Sequence, residues 1–414
     1  MKSRPNVLIF APAFAPNFFS EALVNSKLAL AMLNAGWDVT VFSADASPEF
    51  VYAKVWDDPW DPLRGIVRQF SPENGTPKLT KIPRIVRAVL RGRHPIPSAH
   101  WALRVAEAAI KLHQERPFDL MLTRSTSCTA HLPGLIVKRA VNLPWIANWN
   151  DPPAHLFPAP YTHDMSVVRR LFSERYLRDA ARMADVNTFP SQRLMEYLKG
   201  PLRLRPTDRT AVVPHVGLGL LTRSQKTDKN VFRISHSGNL SIERDPIDFL
   251  KALSRIVAVN PDIKFELDLI GKIPEHINSM VVKLGLSTII RYFPDLSFKA
   301  CLKQLELSDA LLLIEAPVEN GIFFPSKIVD YCEVGRPIFA VSPSEGVMRD
   351  IMNQFDLGYF SEVGDVDGIT QALERIISDW RADRIAHAGL EQICERFTPS
   401  HVVDALARLA WPNV

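Results

Sequence analysis

The stretch that most constrains the fold lies in the second half of the chain. Ala310-Leu311-Leu312-Leu313-Ile314 is a wholly apolar run of strand length. An acidic, glycine-containing loop follows, and Pro325-Ser326-Lys327 then opens a helix, which proline can start without losing a needed hydrogen bond. Gly335 ends that helix, and Pro337-Ile338-Phe339-Ala340-Val341 begins another strand. Strand, loop, helix and strand in this order predict a parallel unit with the helix N-terminus at the carboxyl end of a strand. Doubly wound sheets bind ligands there, and free backbone N–H groups attract phosphate. Lys327 and Asp330 are three apart and share one helix face. A cation beside the positive end of the helix dipole, with an acidic acceptor one turn deeper, suits a nucleoside diphosphate, with phosphates at Lys327 and ribose hydroxyls at Asp330.

The same alternation runs through the rest of the chain. Asn6–Phe10 reads as a strand, Ser20–Ala35 as a helix ended by Gly36, and Trp37–Phe42 as the next strand. A helix at Ala99–Glu115, a strand at Asp119–Thr123, a small-residue loop at Ser125–Ala130 and a helix through Lys138 continue it. Pro144–Trp149 is a strand that ends in Asn150-Asp151-Pro152-Pro153; Ala184–Ser191 and Thr210–His215 are the last strands of the first half. Trp56, Trp60 and Asp57-Asp58 form an aromatic loop with no assigned element. Thr222–Asn230 is polar and reads as a linker. Beyond it, Phe232–Leu240, Lys264–Gly271, Ile289–Phe293, Ala310–Ile314 and Leu357–Phe360 are strands separated by helices, and a last helix spans Pro399–Leu409. The βα order predicts an α/β protein with two parallel sheets, each covered by helices on both faces. At 414 residues the chain suits two domains, here 1–222 and 223–395, with 396–414 as a terminal helix.

Composition removes several classes. A net charge of +4 is mild for this length and does not argue for nucleic acid. The four cysteines, Cys128, Cys301, Cys332 and Cys394, are far apart with no C-x-x-C pair, so neither a zinc site nor a disulfide framework is expected. Hydrophobic content of 47% with dispersed charge fits a globular cytoplasmic protein, and the short N-terminal apolar run, broken by Pro12 and Pro16, is too short for a signal peptide or membrane span. Asp365-Val366-Asp367 has the form of a metal-binding D-x-D, but it follows Gly364 just before a helix, where capping explains it. His131, His215 and His236 show no metal-ligand spacing, though His236 is close enough to Gly238 to line a site. No Walker loop, G-x-S-x-G or G-x-G-x-x-G occurs, which disfavours phosphate hydrolysis, serine hydrolysis and hydride transfer.

The Pro325–Pro337 stretch resembles the donor-nucleotide motif of retaining family-4 glycosyltransferases of the GT-B fold, in the variant where Pro-Ser-Lys precedes the acidic residue, a Tyr and a Gly-x-Pro. The resemblance implies two Rossmann-like domains facing across a cleft, with the nucleotide-sugar donor on the second and the acceptor on the first. Asp330 takes the place of the motif's ribose-binding glutamate. The motif's other glutamate falls at Ile322, and Glu319 is the nearby carboxylate that stands in for it. The family's diphosphate-binding pair falls on Asn239, after Gly238, and on Arg244, whose fork suits a diphosphate. Phe324, Pro325, Ser326 and Lys327 complete the expected donor site. In the first half, the family's paired glycines fall at Phe18 and Phe19, beside Asn17. Asn150 and Asp151 correspond to its Asp-Pro-Trp segment. Asp151 is the candidate for contacting acceptor or donor sugar, a turn cap being the other reading.

The expected reaction is transfer of a sugar from a nucleotide-diphosphate donor to a hydroxyl of a glycan, glycolipid or lipid-linked acceptor, with retention implied by the resemblance. Fixed cations at Arg244 and Lys327 would meet the charge of the leaving diphosphate, so no cofactor and no metal is expected. Lys81–His94 is basic on one face and apolar on another, which suits an anionic membrane surface or, equally, a solvated face over a core stripe. A nucleotide-sugar-binding scaffold without activity, and a nucleotide-sugar epimerase, are the alternatives.

Overall fold

The computed structural model describes residues 4–17, 19–44, 58–70, 99–126, 128–162, 164–220, 230–294, 296–384 and 389–412. It divides into two units. Unit 1 comprises the described residues of Met1–Phe157, Thr162–Val216 and Pro399–Val414, and unit 2 those of Pro158–Tyr161 and Gly217–Thr398. The divisions therefore fall at 216/217 and 398/399, a few residues from the sequence boundaries, and a four-residue segment of the first half goes with unit 2. The expected linker lies almost wholly outside the described residues, as do Phe18 and the basic segment Lys81–His94.

Unit 1 holds a seven-stranded sheet in the order β3-β2-β1-β4-β5-β6-β7. Its strands are β1 (Asn6–Phe10), β2 (Asp38–Ala44), β3 (Val67–Phe70), β4 (Leu120–Arg124), β5 (Trp145–Asn148), β6 (Val186–Phe189) and β7 (Thr210–Val212). Every pairing is parallel. Central strands β1, β4 and β5 are buried along their whole length, as expected where helices cover both faces of a parallel sheet. The edge strand β3, reading VRQF with half its residues exposed, lacks that apolar signature and escapes sequence reading. Helix His131–Val141 lies so close to the sheet that a Cβ on Gly134 would sit 2.6 Å from Thr123 Cγ2 and 2.8 Å from Trp145 Cζ2. The terminal helix Pro399–Ala410 packs on the helix Ser20–Asn34, with Trp411 edge-on to Trp37 at 5.7 Å.

Unit 2 holds a six-stranded sheet in the order β10-β9-β8-β11-β12-β13. Its strands are β8 (Val231–Ser237), β9 (Lys264–Ile270), β10 (Ile290–Phe293), β11 (Ala310–Ile314), β12 (Ile338–Ser342) and β13 (Gly358–Glu362), again all parallel. Alternate residues of each strand feed opposite faces. Ala310, Leu312 and Ile314 join one core with the helices Ile247–Val259 and Val366–Arg381, whereas Leu311 and Leu313 join another with the helix Lys327–Val334. In both sheets the winding reverses direction once, between β1 and β4 in unit 1 and between β8 and β11 in unit 2. The loops leaving those strands diverge to opposite faces and leave a crevice, the usual ligand position in doubly wound sheets.

Candidate functional site

At the switch point of unit 2, β8 runs into Gly238, whose N–H donates to Ile270 O at 2.8 Å. Gly238 has φ +103°, and a Cβ there would lie 3.3 Å from Lys327 Nζ. Glycine suits this position chiefly through its positive φ, and the approach of that ammonium leaves little room for a side chain. Lys327 is the first residue of the helix Lys327–Val334, which begins two residues later than the sequence suggested. Pro325 O and Ser326 O accept from Ile328 N at 2.9 Å and Val329 N at 3.3 Å, so these two amides close the first turn rather than face a ligand. Asp330 sits on the first turn, partly buried.

His236 fixes the direction of the lysine. Its Nδ1 lies 2.9 Å from Leu312 O, and a carbonyl only accepts, so Nδ1 carries the hydrogen and Nε2 is the bare nitrogen. Nε2 faces Lys327 Nζ at 3.3 Å. Burial, with Lys327 beside it, holds His236 well below the usual histidine range, so it stays neutral and can accept. Burial and then the Arg244 guanidinium push Lys327 down to about 7. Opposite stands Glu315, immediately after β11 and hydrogen-bonded to Ser342; burial pushes it up to about 7 against the pull of Arg244 and Lys327. Tyr331 ties the parts together: its hydroxyl receives Ser237 N–H at 3.0 Å and donates to Leu312 O at 3.0 Å, clamping the helix to β8 and β11. Arg244 Nε donates to Tyr161 Oη at 2.9 Å, its guanidinium lies 5.7 Å from that ring's centre, and Phe323 meets the same ring edge-on at 5.6 Å.

Several expected donor residues have side chains engaged by the protein itself or set in the neighbouring loop. Asn239 is exposed, but its Oδ1 accepts Lys272 N–H at 2.9 Å and so serves to tether the neighbouring loop. Phe324 turns to the core, edge-on to Phe397 at 6.0 Å. Glu319 is exposed in the loop and Ile322 is buried, whereas Glu315, unnoticed in the sequence, is the carboxylate set among the cations. Its signal was small: one acidic residue closing an apolar strand. The loop that carries Glu319 is pinned at Gly321, which accepts from Val347 N at 2.7 Å and donates to Glu345 O at 3.0 Å.

The switch point of unit 1 carries a different chemistry. Asn150 Nδ2 donates to Glu21 Oε1 at 2.5 Å, and Thr126 Oγ1 donates to Asp151 Oδ2 at 2.8 Å. Asn150 N donates to Ser125 Oγ at 3.1 Å, and Arg124 Nε donates to Asn25 Oδ1 at 2.9 Å. Burial and then the charge of Asp151 hold Glu21 well above the usual carboxylate range; Arg124 opposes this without reversing it. Glu21, in the first turn of the helix after β1, is the residue of this cluster that sequence reading missed. Asn17 is buried in a turn, its N and Nδ2 both donating to Phe14 O, and Phe19 precedes the helix in extended conformation. Asp365 accepts Gly368 N–H at 2.8 Å as a helix cap, and Asp367 pairs with Arg255 at 2.6 Å, so the D-x-D is divided between two structural tasks. Among the described residues no group of three or more His, Cys, Asp or Glu could hold a metal ion, and no helix is long and apolar enough to cross a membrane.

Residues 23–215, nearly the whole first half, match the family model of the glycosyl transferase 4-like domain. Solved structures extend the likeness to the full length. Sucrose-phosphate synthase from Thermosynechococcus elongatus matches with a TM-score of 0.68 and 14% identity over 98% of both chains. Anabaena HepE in complex with UDP and glucose matches with a TM-score of 0.66 and 16% identity over 99% of this chain and 100% of its own. The lipopolysaccharide outer core galactosyltransferase WaaB matches with a TM-score of 0.62 and 14% identity over 99% and 100%. At such identities the likeness establishes the fold, which is GT-B. A search of curated proteins found no match.

Proposed function

We propose that the chain is a glycosyltransferase that moves a sugar from a nucleoside-diphosphate donor to a hydroxyl acceptor, with the donor held at the switch point of unit 2. The observation that carries this reading is the meeting of Lys327, Arg244 and Glu315 around Gly238, at the carboxyl ends of β8 and β11. As the bond between the anomeric carbon and the diphosphate oxygen breaks, the oxygen keeps the electron pair and its charge grows. Lys327, desolvated and held by His236, and Arg244, held by Tyr161, meet that charge from fixed positions. In this reading the reaction uses no metal, Asp330 binds the ribose hydroxyls, and the anomeric configuration is retained.

HepE was solved with UDP and glucose, which makes UDP the first nucleotide to test. WaaB is a galactosyltransferase of the lipopolysaccharide outer core, which supports a glycan or lipid-linked acceptor in bacterial polysaccharide or glycolipid assembly at the inner face of the membrane. Lys327→Ala should lower sugar transfer, or UDP release from the cognate UDP-sugar, more than about 100-fold while the protein keeps its thermal transition. Turnover within about threefold of wild type would refute the assignment. A second reading, a nucleotide-sugar-binding scaffold without activity, draws on the burial of Ile322 where the motif has a glutamate. Nucleotide binding without turnover of any donor would select it.

A further inference from the structure

We propose that the outer edge of β13 receives an extended acidic segment of a partner protein, which pairs with it as one further strand of the unit 2 sheet. The edge lies two strands from β11 and the donor crevice, and the inference does not depend on the reaction assigned there.

β13 ends its sheet, so one side of it has no neighbouring strand among the described residues. Ile338 N donates to Leu357 O at 2.7 Å and Val363 N to Ser342 O at 3.0 Å, with Ile338 opposite Gly358 and Ser342 opposite Glu362. In a parallel ladder the bonded residues of a strand alternate. Tyr359 and Ser361 therefore turn their backbone groups to β12, while Gly358, Phe360 and Glu362 turn theirs outward. The N–H groups of these three have no hydrogen-bond partner among the described residues. Such an edge is a ready template for another chain unless the fold fills or covers it.

Here it is neither filled nor covered. A groove of about 830 Å³ runs along the whole of β13. One wall is the helix Val347–Gln354, presenting Arg349, Met352 and Asn353; the other is the helix Val366–Arg381, presenting Gln371, Arg375 and Ser378. The two helices pack on opposite faces of the sheet, beside Phe360 and Tyr359 respectively. A five-residue strand rising about 3.3 Å per residue, set about 4.8 Å from its neighbour and given a layer spacing of about 10 Å, takes up roughly 800 Å³. The groove thus has the size of one missing strand. A second copy of this chain would bring its own helices on both faces of β13 against the walls already present, so the occupant is a bare extended segment.

The walls define its side chains. Successive residues of an added strand point to opposite faces and so meet the two walls in turn. Arg349 lies 4.1 Å from the centre of the Phe360 ring, Arg375 is exposed, and neither guanidinium has an ion pair or hydrogen bond among the described residues. Two of the groove's carboxylates are already engaged: Asp365 accepts Gly368 N–H at 2.8 Å and Asp379 accepts the Tyr359 hydroxyl at 2.8 Å. Glu362, at the carboxyl end of β13, has no side-chain partner among the described residues. Each wall therefore offers a guanidinium to a carboxylate, and the segment that fits carries acidic residues at neighbouring positions and uncharged ones beside Glu362.

The test uses the full chain with two capped nonapeptides, TVEEVEEVT and its basic counterpart TVKKVKKVT. Binding is read by fluorescence anisotropy and backbone protection by hydrogen exchange. The acidic peptide should bind at least about tenfold more tightly than the basic one. It should also slow exchange across residues 358–362 by about tenfold or more. Of two acidic peptides N-methylated at alternate residues, one turns its methyl groups to β13 and should lose binding, and the other should keep it. Arg375→Glu, at an exposed position, should cut the preference for the acidic peptide about fivefold or more, and Arg349→Glu should do the same from the other wall. Thermal melts check that both variants fold, and if Arg349→Glu does not, Arg375→Glu decides. Binding of neither peptide, binding without protection of 358–362, equal affinity of the two N-methylated peptides, or an unchanged preference in Arg375→Glu would each overturn the proposal. Protection of that segment that grows with protein concentration alone would overturn it too, by assigning the edge to a second copy.

Discussion

The crevice beyond β8 and β11 holds Lys327 and Arg244 with one carboxyl, Glu315, between them. Its counterpart beyond β1, β4 and β5 holds Glu21 and Asp151 with one guanidinium, Arg124, turned away to Asn25. The two sheets share one winding order over six strands, unit 1 adding β7 at an edge, and the fully buried central strands are alike, so the framework does not determine the difference. What differs is the residue that closes each strand and opens each following helix. A cationic crevice suits a departing diphosphate, and an anionic, hydrogen-bonding crevice suits hydroxyls. One architecture thus carries two crevices of different chemistry by changing only a handful of strand-end residues.

Two substitutions probe that contrast. The larger effect should come from Gly238→Ala. The new Cβ would stand 3.3 Å from Lys327 Nζ at a φ of +103°, so UDP affinity should fall about tenfold and stability by about 1–3 kcal/mol, read by calorimetry and chemical denaturation. Unchanged affinity would mean that Lys327 does not face the ligand. The smallest effect should come from Asp151→Asn, which alters the anionic crevice only. UDP affinity should stay within about twofold of wild type, and a larger loss would show that the division of labour is wrong.

Much of this fold was legible because buried parallel strands leave long apolar runs: Ala310–Ile314 and Asn6–Phe10 appear in the structure with the bounds read from the sequence. The edge strand Val67–Phe70 was not, because an edge strand with solvent on one side needs no such run. At the site, Lys327 and Arg244 were legible from motif spacing, and the structure brings them together around Glu315. For Asn239 and Phe324, which the same spacing puts in the donor site, the structure shows a loop amide bound to the first and the core beside the second, contacts that adjacency in sequence does not reveal. Glu21 was invisible for the converse reason: its partners Asn150 and Asp151 are more than a hundred residues away, and only the sheet order brings them together.

The account's central claim is that a desolvated lysine, held by a neutral histidine, receives the diphosphate. In the free protein Lys327 and Glu315 both titrate near 7, and a bound diphosphate anion must raise both, so binding takes up protons and affinity declines as pH rises above that point. Isothermal titration calorimetry of UDP, repeated at pH 7.5 in buffers of different ionisation enthalpy, measures that uptake directly. The account predicts a net uptake of roughly half a proton or more and a UDP affinity that falls about tenfold from about pH 7 to 9, both reduced in Lys327→Arg, whose charge is permanent. Binding with no proton exchange and no pH dependence in the wild-type protein would contradict it.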